Sequence, residues 1–306
     1  MATLGKILSL VKASTTRPTK LMGVSNSSLA RLMGVGLGVQ ATGGTITYSG
    51  SYTIHKFTAN GTFTVNTGGG QSSGDVEYLV VGGGGGGGGG GVIIVAGGGG
   101  GAGGYLAGTG HAVTPQAYPI TVGAGGSGAI GSLPTTPGTN GADTVFDTKT
   151  AIGGGRGGAY YTFPPPPFTG ADVPNTGGSG GGGTLGDAGA AGTSGPPIQG
   201  YAGGAGTGTD PDPASGGGGG SSGVGTDGVY SANRTDGGPG TANSISGAAV
   251  TYAAGGKGAS RLTPYADRNG ANGADNTGDG GDGGGVSPSA ANGGSGGSGI
   301  VIVRYT

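Results

Sequence analysis

Val76-Glu77-Tyr78-Leu79-Val80-Val81 runs without a break into ten consecutive glycines, Gly82 to Gly91. The first six residues read as a strand, rich in β-branched and aromatic side chains and closing on an apolar run. The glycines bury no side chain, and each loses more backbone freedom on folding than any other residue. Alone, such a run is a flexible linker. Here apolar runs punctuate the glycine, at Val76–Val81, at Val92-Ile93-Ile94-Val95 and at Ile300-Val301-Ile302-Val303. In a floppy chain these would be aggregation hazards, so they read as buried strands. Charged residues are only 9% of the chain, whereas disordered chains rely on charge to stay soluble. The chain therefore reads as ordered.

Glycine supplies 88 of the 306 residues, hydrophobic residues 32%, and tryptophan is absent. One conventional core across the whole length is excluded by that supply. With no cysteine, neither disulfides nor thiolate metal sites can compensate. Beyond the runs above, strands are expected at 118–122, 144–147 and 249–253. Asn60-Gly61 signals a hairpin. A three-residue loop with Gly61 left-handed would set Phe57 opposite Phe63 and His55 opposite Val65. The change of face between Ile54 and Phe57 suggests a bulge. The expected fold is mainly β: a β-sandwich-like core with long glycine-rich insertions.

Gly177, Gly180, Gly183, Gly186, Gly189, Gly192 and Gly195 begin seven successive triplets before Pro196-Pro197. Glycine at every third position suits close packing of extended helices with three residues per turn. Such helices make no internal hydrogen bonds, so their backbone groups must pair with neighbouring segments. A polyglycine II bundle, a collagen-like triple helix and irregular loops all remain open, and Gly186→Val is the substitution that asks whether the run is packed.

The first 74 residues carry Lys6, Lys12, Arg17, Lys20, Arg31 and Lys56 and no acidic residue, against a formal net charge of −1 for the chain. Leu4, Ile7, Leu8 and Val11 form one stripe of a short helix, limited by Pro18. Ser25–Ser28 can cap a second one through Leu29, Leu32 and Met33. Residues 1–44 are thus a basic N-terminal segment, and 45–306 a glycine-rich β domain. The stripe, with Lys6 and Lys12, either packs on its own domain, attaches to an acidic partner protein or lies on a membrane surface. Lys12 interrupts any signal-peptide core, and no apolar stretch approaches the ~20 residues of a membrane span.

No catalytic or cofactor motif stands out. At this glycine content G-x-G-x-x-G arises by chance, and Gly256-Lys257-Gly258 has Thr251 where a P-loop has glycine. Asp275, Thr277, Asp279 and Gly280 imitate an EF-hand loop, but Val286 occupies the position of its glutamate. Asp279 and Asp282 offer at most weak calcium binding beside a solvated-turn reading. The two histidines, His55 and His111, and the single glutamate, Glu77, form no readable site. The expectation is no enzyme, cofactor, metal or nucleic-acid partner. Tyr160, Tyr161, Phe163 and Phe168 surround the proline run 164–167; they make either a local mini-core or an exposed recognition loop.

The ordered set of residues 52–65, 76–91, Ile120-Thr121-Val122-Gly123-Ala124-Gly125-Gly126 and the ending Ile300-Val301-Ile302-Val303-Arg304-Tyr305 resembles the glycine-rich domain of bacteriophage tail and other virion proteins. The likeness spans 48–306; Val92–Val95 and the proline run depart from it locally. It implies a virion surface protein, often a tail fibre or adhesin, with no catalytic residues to carry over. On that reading residues 1–44 dock on other virion proteins, and glycine-rich loops meet a carbohydrate or protein receptor on the host. A homotrimer is expected from fibre symmetry. A head fibre or capsid decoration protein is the near alternative, and a polyglycine-bundle ice-binding protein the more distant one.

Overall fold

A computed structural model describes residues 38–66, 74–91, 96–131, 136–160, 171–193, 195–207, 213–229, 233–261, 268–286 and 291–306, together with 20–21 and 24–25. Its ten principal strands are β1 (Ala41–Thr42), β2 (Thr45–Ser49), β3 (Tyr52–Phe57), β4 (Gly61–Val65), β5 (Gly74–Val81), β6 (Tyr105–Val113), β7 (Ala117–Thr121), β8 (Thr144–Phe146), β9 (Lys149–Ala151) and β10 (Ile300–Tyr305). They form two five-stranded antiparallel sheets, ordered β2-β3-β10-β5-β6 and β9-β8-β7-β4-β1. Phe57, Val80, Val301, Val303 and Tyr305 from the first sheet meet Phe63, Val65, Tyr118, Ile120 and Phe146 from the second. The expected sandwich is present.

The apolar ending of the chain is the middle strand of the first sheet. Val301 and Val303 face the inter-sheet core, while Ile300 and Ile302 face a second cluster with Ile54, Leu79, Val81, Ile245 and Tyr252. A strand buried on both faces needs no polar alternation, which explains its continuous Ile-Val-Ile-Val.

The Asn60-Gly61 hairpin does not form. β3 pairs with β2 and β10, whereas β4 pairs with β1 and β7. The chain crosses from one sheet to the other between Phe57 and Gly61, and Gly61 is not left-handed. β10 takes the edge that a hairpin partner would have used, and Asn60 Oδ1 accepts the Val122 N–H at 2.8 Å, pinning the corner. Phe57 and Phe63 therefore meet across the sandwich rather than along a ladder. His55 lies opposite Ile46 and Val303, not Val65. No bulge interrupts β3, because Ile54 and Phe57 are both buried, on opposite faces; the register shift falls between Val76 and Tyr78.

β5 to β10 continue directly into extended glycine rods. From Gly82 to Gly90 the N–H groups turn through three directions. Those of Gly82, Gly85 and Gly88 donate to Gly104, Gly101 and Gly98, those of Gly83 and Gly86 to Ala142 and Thr139, and those of Gly84, Gly87 and Gly90 to Gly297, Gly294 and Ala291. The carbonyls find three further segments: Gly83 and Gly86 accept from Gly154 and Gly157, Gly84 and Gly87 from Gly126 and Ala129, and Gly85 and Gly88 from Gly281 and Gly284. One rod thus has six neighbours, three antiparallel and three parallel, through bonds of 2.8–3.0 Å. The repeat of three residues with only lateral bonds is a polyglycine II bundle. Nine residues at about 3.1 Å each make a rod about 28 Å long.

The triplet run at 177–195 joins this bundle, not as one rod but as two. Leu185 and Gly186, at φ 47° and 84°, reverse the chain, and Ala190 then donates back to Gly181. Gly186 is exposed, so its glycine answers a backbone angle and not packing. At 92–95 the expected strand lies outside the described residues, as do the expected N-terminal helices, save that Val24–Ser25 pairs with Lys20–Leu21 as a short antiparallel ladder and not as a helix cap.

The molecule has two unlike ends. β10 starts at the bundle, where Gly299 donates to Gly123, and Tyr305 closes its other end. Gly38 packs on the Thr306 carbonyl and Val39 on Gly74, the first residue of β5. Gly38 and Val39 therefore lie at the end of the sandwich remote from the bundle.

A Cβ on Gly98 would overlap the Gly182 carbonyl, whereas one on Gly195 meets nothing within 4 Å. Gly98→Ala should cost about 3 kcal/mol or more and Gly195→Ala less than about 0.5 kcal/mol. Thermal unfolding of the two variants beside the parent checks this; equal midpoints would contradict the packing.

Candidate functional site

The inner rods are almost entirely glycine, and side chains gather at the rim of the bundle and at the reversals between rods. Rods alternate in direction, and one set of reversals gathers at the end away from the sandwich. The bridges Gly90–Ala291, Ile130–Thr136, Thr207–Ala214 and Ala214–Ser260 lie there, as do the ladders of Ala159–Tyr160 with Ala171–Asp172 and of Arg234–Thr235 with Gly258–Ala259. The described residues that flank 92–95, 132–135, 161–170, 208–212, 230–232, 262–267 and 287–290 all lie at this end. Beneath them, buried Thr184 Oγ1 and Ser215 Oγ both donate to the Ala96 carbonyl, at 2.7 and 2.6 Å.

Aromatic residues are partitioned accordingly. The sandwich holds Tyr48, Tyr52, Phe57, Phe63, Tyr78, Tyr105, Tyr118, Phe146 and Tyr305; Tyr201 and Tyr252 lie along the bundle. All others, Tyr160, Tyr161, Phe163, Phe168, Tyr230 and Tyr265, fall in the sequence at or between described residues of the far end. Of the loop residues singled out from the sequence, Tyr160 pairs with Ala171 at the end of a short ladder, while Tyr161, Phe163 and Phe168 lie outside the described residues. So do Leu4, Ile7, Leu8, Val11, Lys6 and Lys12.

A second device was missed at the sequence level. Asn269, Asn272 and Asp275, three residues apart, offer Oδ1 to the N–H groups of Asn292, Ser295 and Ser298, also three apart. Asp279 and Asp282 do the same for Ala254 and Lys257, at 2.9 and 2.8 Å, and Asn140 and Asp143 for Arg156 and Gly153. These side chains replace the carbonyl of a missing neighbour where a rod lies at the rim of the bundle. The period of three in Asn269, Asn272 and Asp275 is the signal available in the sequence; of these only Asp275 falls within the EF-hand imitation. Asp279 and Asp282 have an Oδ1 committed to the backbone, and Asp282 also lies 3.7 Å from Arg234.

The histidines stand apart. His111 is 3.0 Å from Asp147 at the sandwich rim, and His55 is buried between the sheets. Glu77 pairs with Arg304 at 2.6 Å, and Arg304 lies over the Tyr52 ring. These contacts knit strands of the first sheet together.

Residues 58–306, which include the rods and the final strand β10, match the glycine-rich domain family. The chain belongs to that family. Its glycine-rich domain contains all of the rods and most of the sandwich; β1 to β3 precede the matched region. No functionally curated protein matches the chain. Among the described residues, no helix is long and apolar enough to cross a membrane.

Burial holds the carboxyls of Asp279 and Asp282 above the usual carboxylate range, against the N–H bonds that pull them down. A carboxyl raised in the folded state takes up its proton there first, so its contribution to stability increases as pH falls through that raised range. Relative to the double variant Asp279→Asn/Asp282→Asn, the parent should gain stability between pH 7 and pH 4.5. Urea midpoints across that range test it, and parallel curves would refute it.

Proposed function

We propose that this protein is a non-enzymatic structural component of a bacteriophage virion, of the tail-fibre or adhesin type. The basic N-terminal segment, residues 1–44, attaches it to other virion proteins. The stretches at the far end of the bundle meet a carbohydrate or protein receptor on the host. The observation that supports the reading is polarity: the described chain enters the sandwich at Gly38 at one end of the molecule, and six aromatic residues fall in the sequence at or between described residues of the opposite end. Aromatic side chains make large contacts at low entropic cost, and the rods between the two ends form a stiff spacer. Side-chain-poor rods also leave no obvious frame for holding acid–base groups in catalytic geometry. Trimeric assembly is part of the proposal, in keeping with fibre symmetry.

Gold-labelled antibody against residues 38–306, applied to intact particles of the virus encoding the chain, should decorate the tail or its projecting fibres in electron micrographs. Label over the head would replace the tail assignment with a head fibre or decoration protein. Unlabelled particles, with the protein confined to the infected cell, would overturn the virion assignment.

A further inference from the structure

His55 is fully buried between the sheets, and its two ring nitrogens are both engaged. Nδ1 lies 2.8 Å from the Gly43 carbonyl, and Nε2 lies 3.0 Å from the Tyr305 hydroxyl. That hydroxyl in turn accepts the Ala41 N–H at 3.1 Å. Phe63 meets the imidazole edge-on at 5.1 Å and Tyr305 stacks at 5.5 Å. Proton bookkeeping fixes the direction of the chain of bonds. A carbonyl can only accept, so Nδ1 carries the hydrogen and Nε2 is the acceptor. Tyr305 gives its hydrogen to Nε2 and receives from Ala41.

Ala41 and Gly43 bracket the place where the chain passes from β1 in one sheet to β2 in the other. That crossing uses φ 112° at Gly43 and 63° at Gly44, and β1 itself is only two residues long. The ladder to β4 and the bonds to Tyr305 and His55 hold it. The geometry points to an acid-sensitive latch, in which neutral His55 fastens residues 38–43 to the C-terminal strand and its protonation releases them.

The release follows from hydrogen count. A protonated Nε2 must donate to Tyr305, so the hydroxyl loses the acceptor of its own hydrogen and has to take Nε2–H and the Ala41 N–H on its two lone pairs at once. The Ala41 bond is weakened by that competition, and a buried hydroxyl hydrogen is left without its partner. Nothing facing the ring among the described residues compensates the imidazolium. β10 presents Tyr305 and β2 presents the exposed Tyr48, while β1 and β4 present no titratable group. Lys56 and Arg304 project to the opposite face of their strands, and Arg304 is paired with Glu77. Burial holds the imidazole below its ordinary value, outweighing the bond to Gly43. The opened form therefore takes the proton first, and the latch is favoured above about pH 6.5 and weakens as pH falls below it. The inference does not depend on a virion role; it concerns how residues 38–43 are held to the C-terminal strand.

Hydrogen exchange of the full chain, followed by mass spectrometry and corrected for intrinsic rates, tests it. Between pH 7.5 and pH 5, peptides covering 38–44 should lose protection several-fold more than β5 and β10. In His55→Gln that extra loss should vanish. Tyr305→Phe, which deletes the hydroxyl alone, should already leave 38–44 poorly protected at pH 7.5, with no further dependence on pH. Protection of 38–44 that is independent of pH in the parent, an equal loss in His55→Gln, or parental protection in Tyr305→Phe would each overturn the latch.

Discussion

Every buried backbone group in the glycine bundle must find its partner on another rod, because an extended three-residue helix makes no bond within itself. The Gly82–Gly90 rod meets that requirement with six neighbours. Each net hydrogen bond contributes only about 0.5–1.5 kcal/mol, while ordering one residue costs about 1–2 kcal/mol. A lone rod, or a pair, would not hold. Stability comes from the lattice as a whole, and the lattice needs glycine: a side chain on an inner rod would occupy the place of the neighbouring carbonyl, as at Gly86 against Ser127.

The sandwich supplies what the lattice lacks. Its two clusters, one between the sheets and one where the first sheet meets the bundle, contain most of the large buried side chains. β5, β6 and β10 run straight into the rods at Gly82, Gly104 and Gly299, so strand register is transmitted to rod register. Val81 pairing with Ile300 and Tyr105 places Gly82 beside Gly104, and the three-residue repeat then aligns everything beyond. An apolar core thereby directs a structure that has almost no apolar side chains of its own.

At the rim the constraint changes sign. Outer rods have groups with no neighbour, the same liability as an exposed sheet edge. Asn and Asp on a period of three return side-chain oxygens to these groups, which ends the lattice without inviting another chain to extend it. The far end is left for the stretches between rods, where side chains of any kind can be carried without disturbing the packing.

Much of this was legible in the residues. Ile300-Val301-Ile302-Val303 announced a strand buried on both faces, since no polar alternation interrupts it. Glycine every third residue from 177 suited three-residue packing, because only a residue without a side chain permits that approach, but a polyglycine II bundle, a collagen-like helix and irregular loops stayed open at that level. Local signals misled where a distant partner was stronger: Asn60-Gly61 has the chemistry of a hairpin, yet β10, more than 230 residues away, takes the edge of β3. Likewise Gly186 keeps the triplet phase but sits in a turn, and Asp279 resembles a metal ligand but caps a rod. Composition and periodicity dictated that there would be strands and glycine rods. Only the tertiary structure decided which rods are neighbours, which glycines are inside, and which end faces away, because lateral hydrogen bonds between rods carry no mark in the sequence of the partner that receives them.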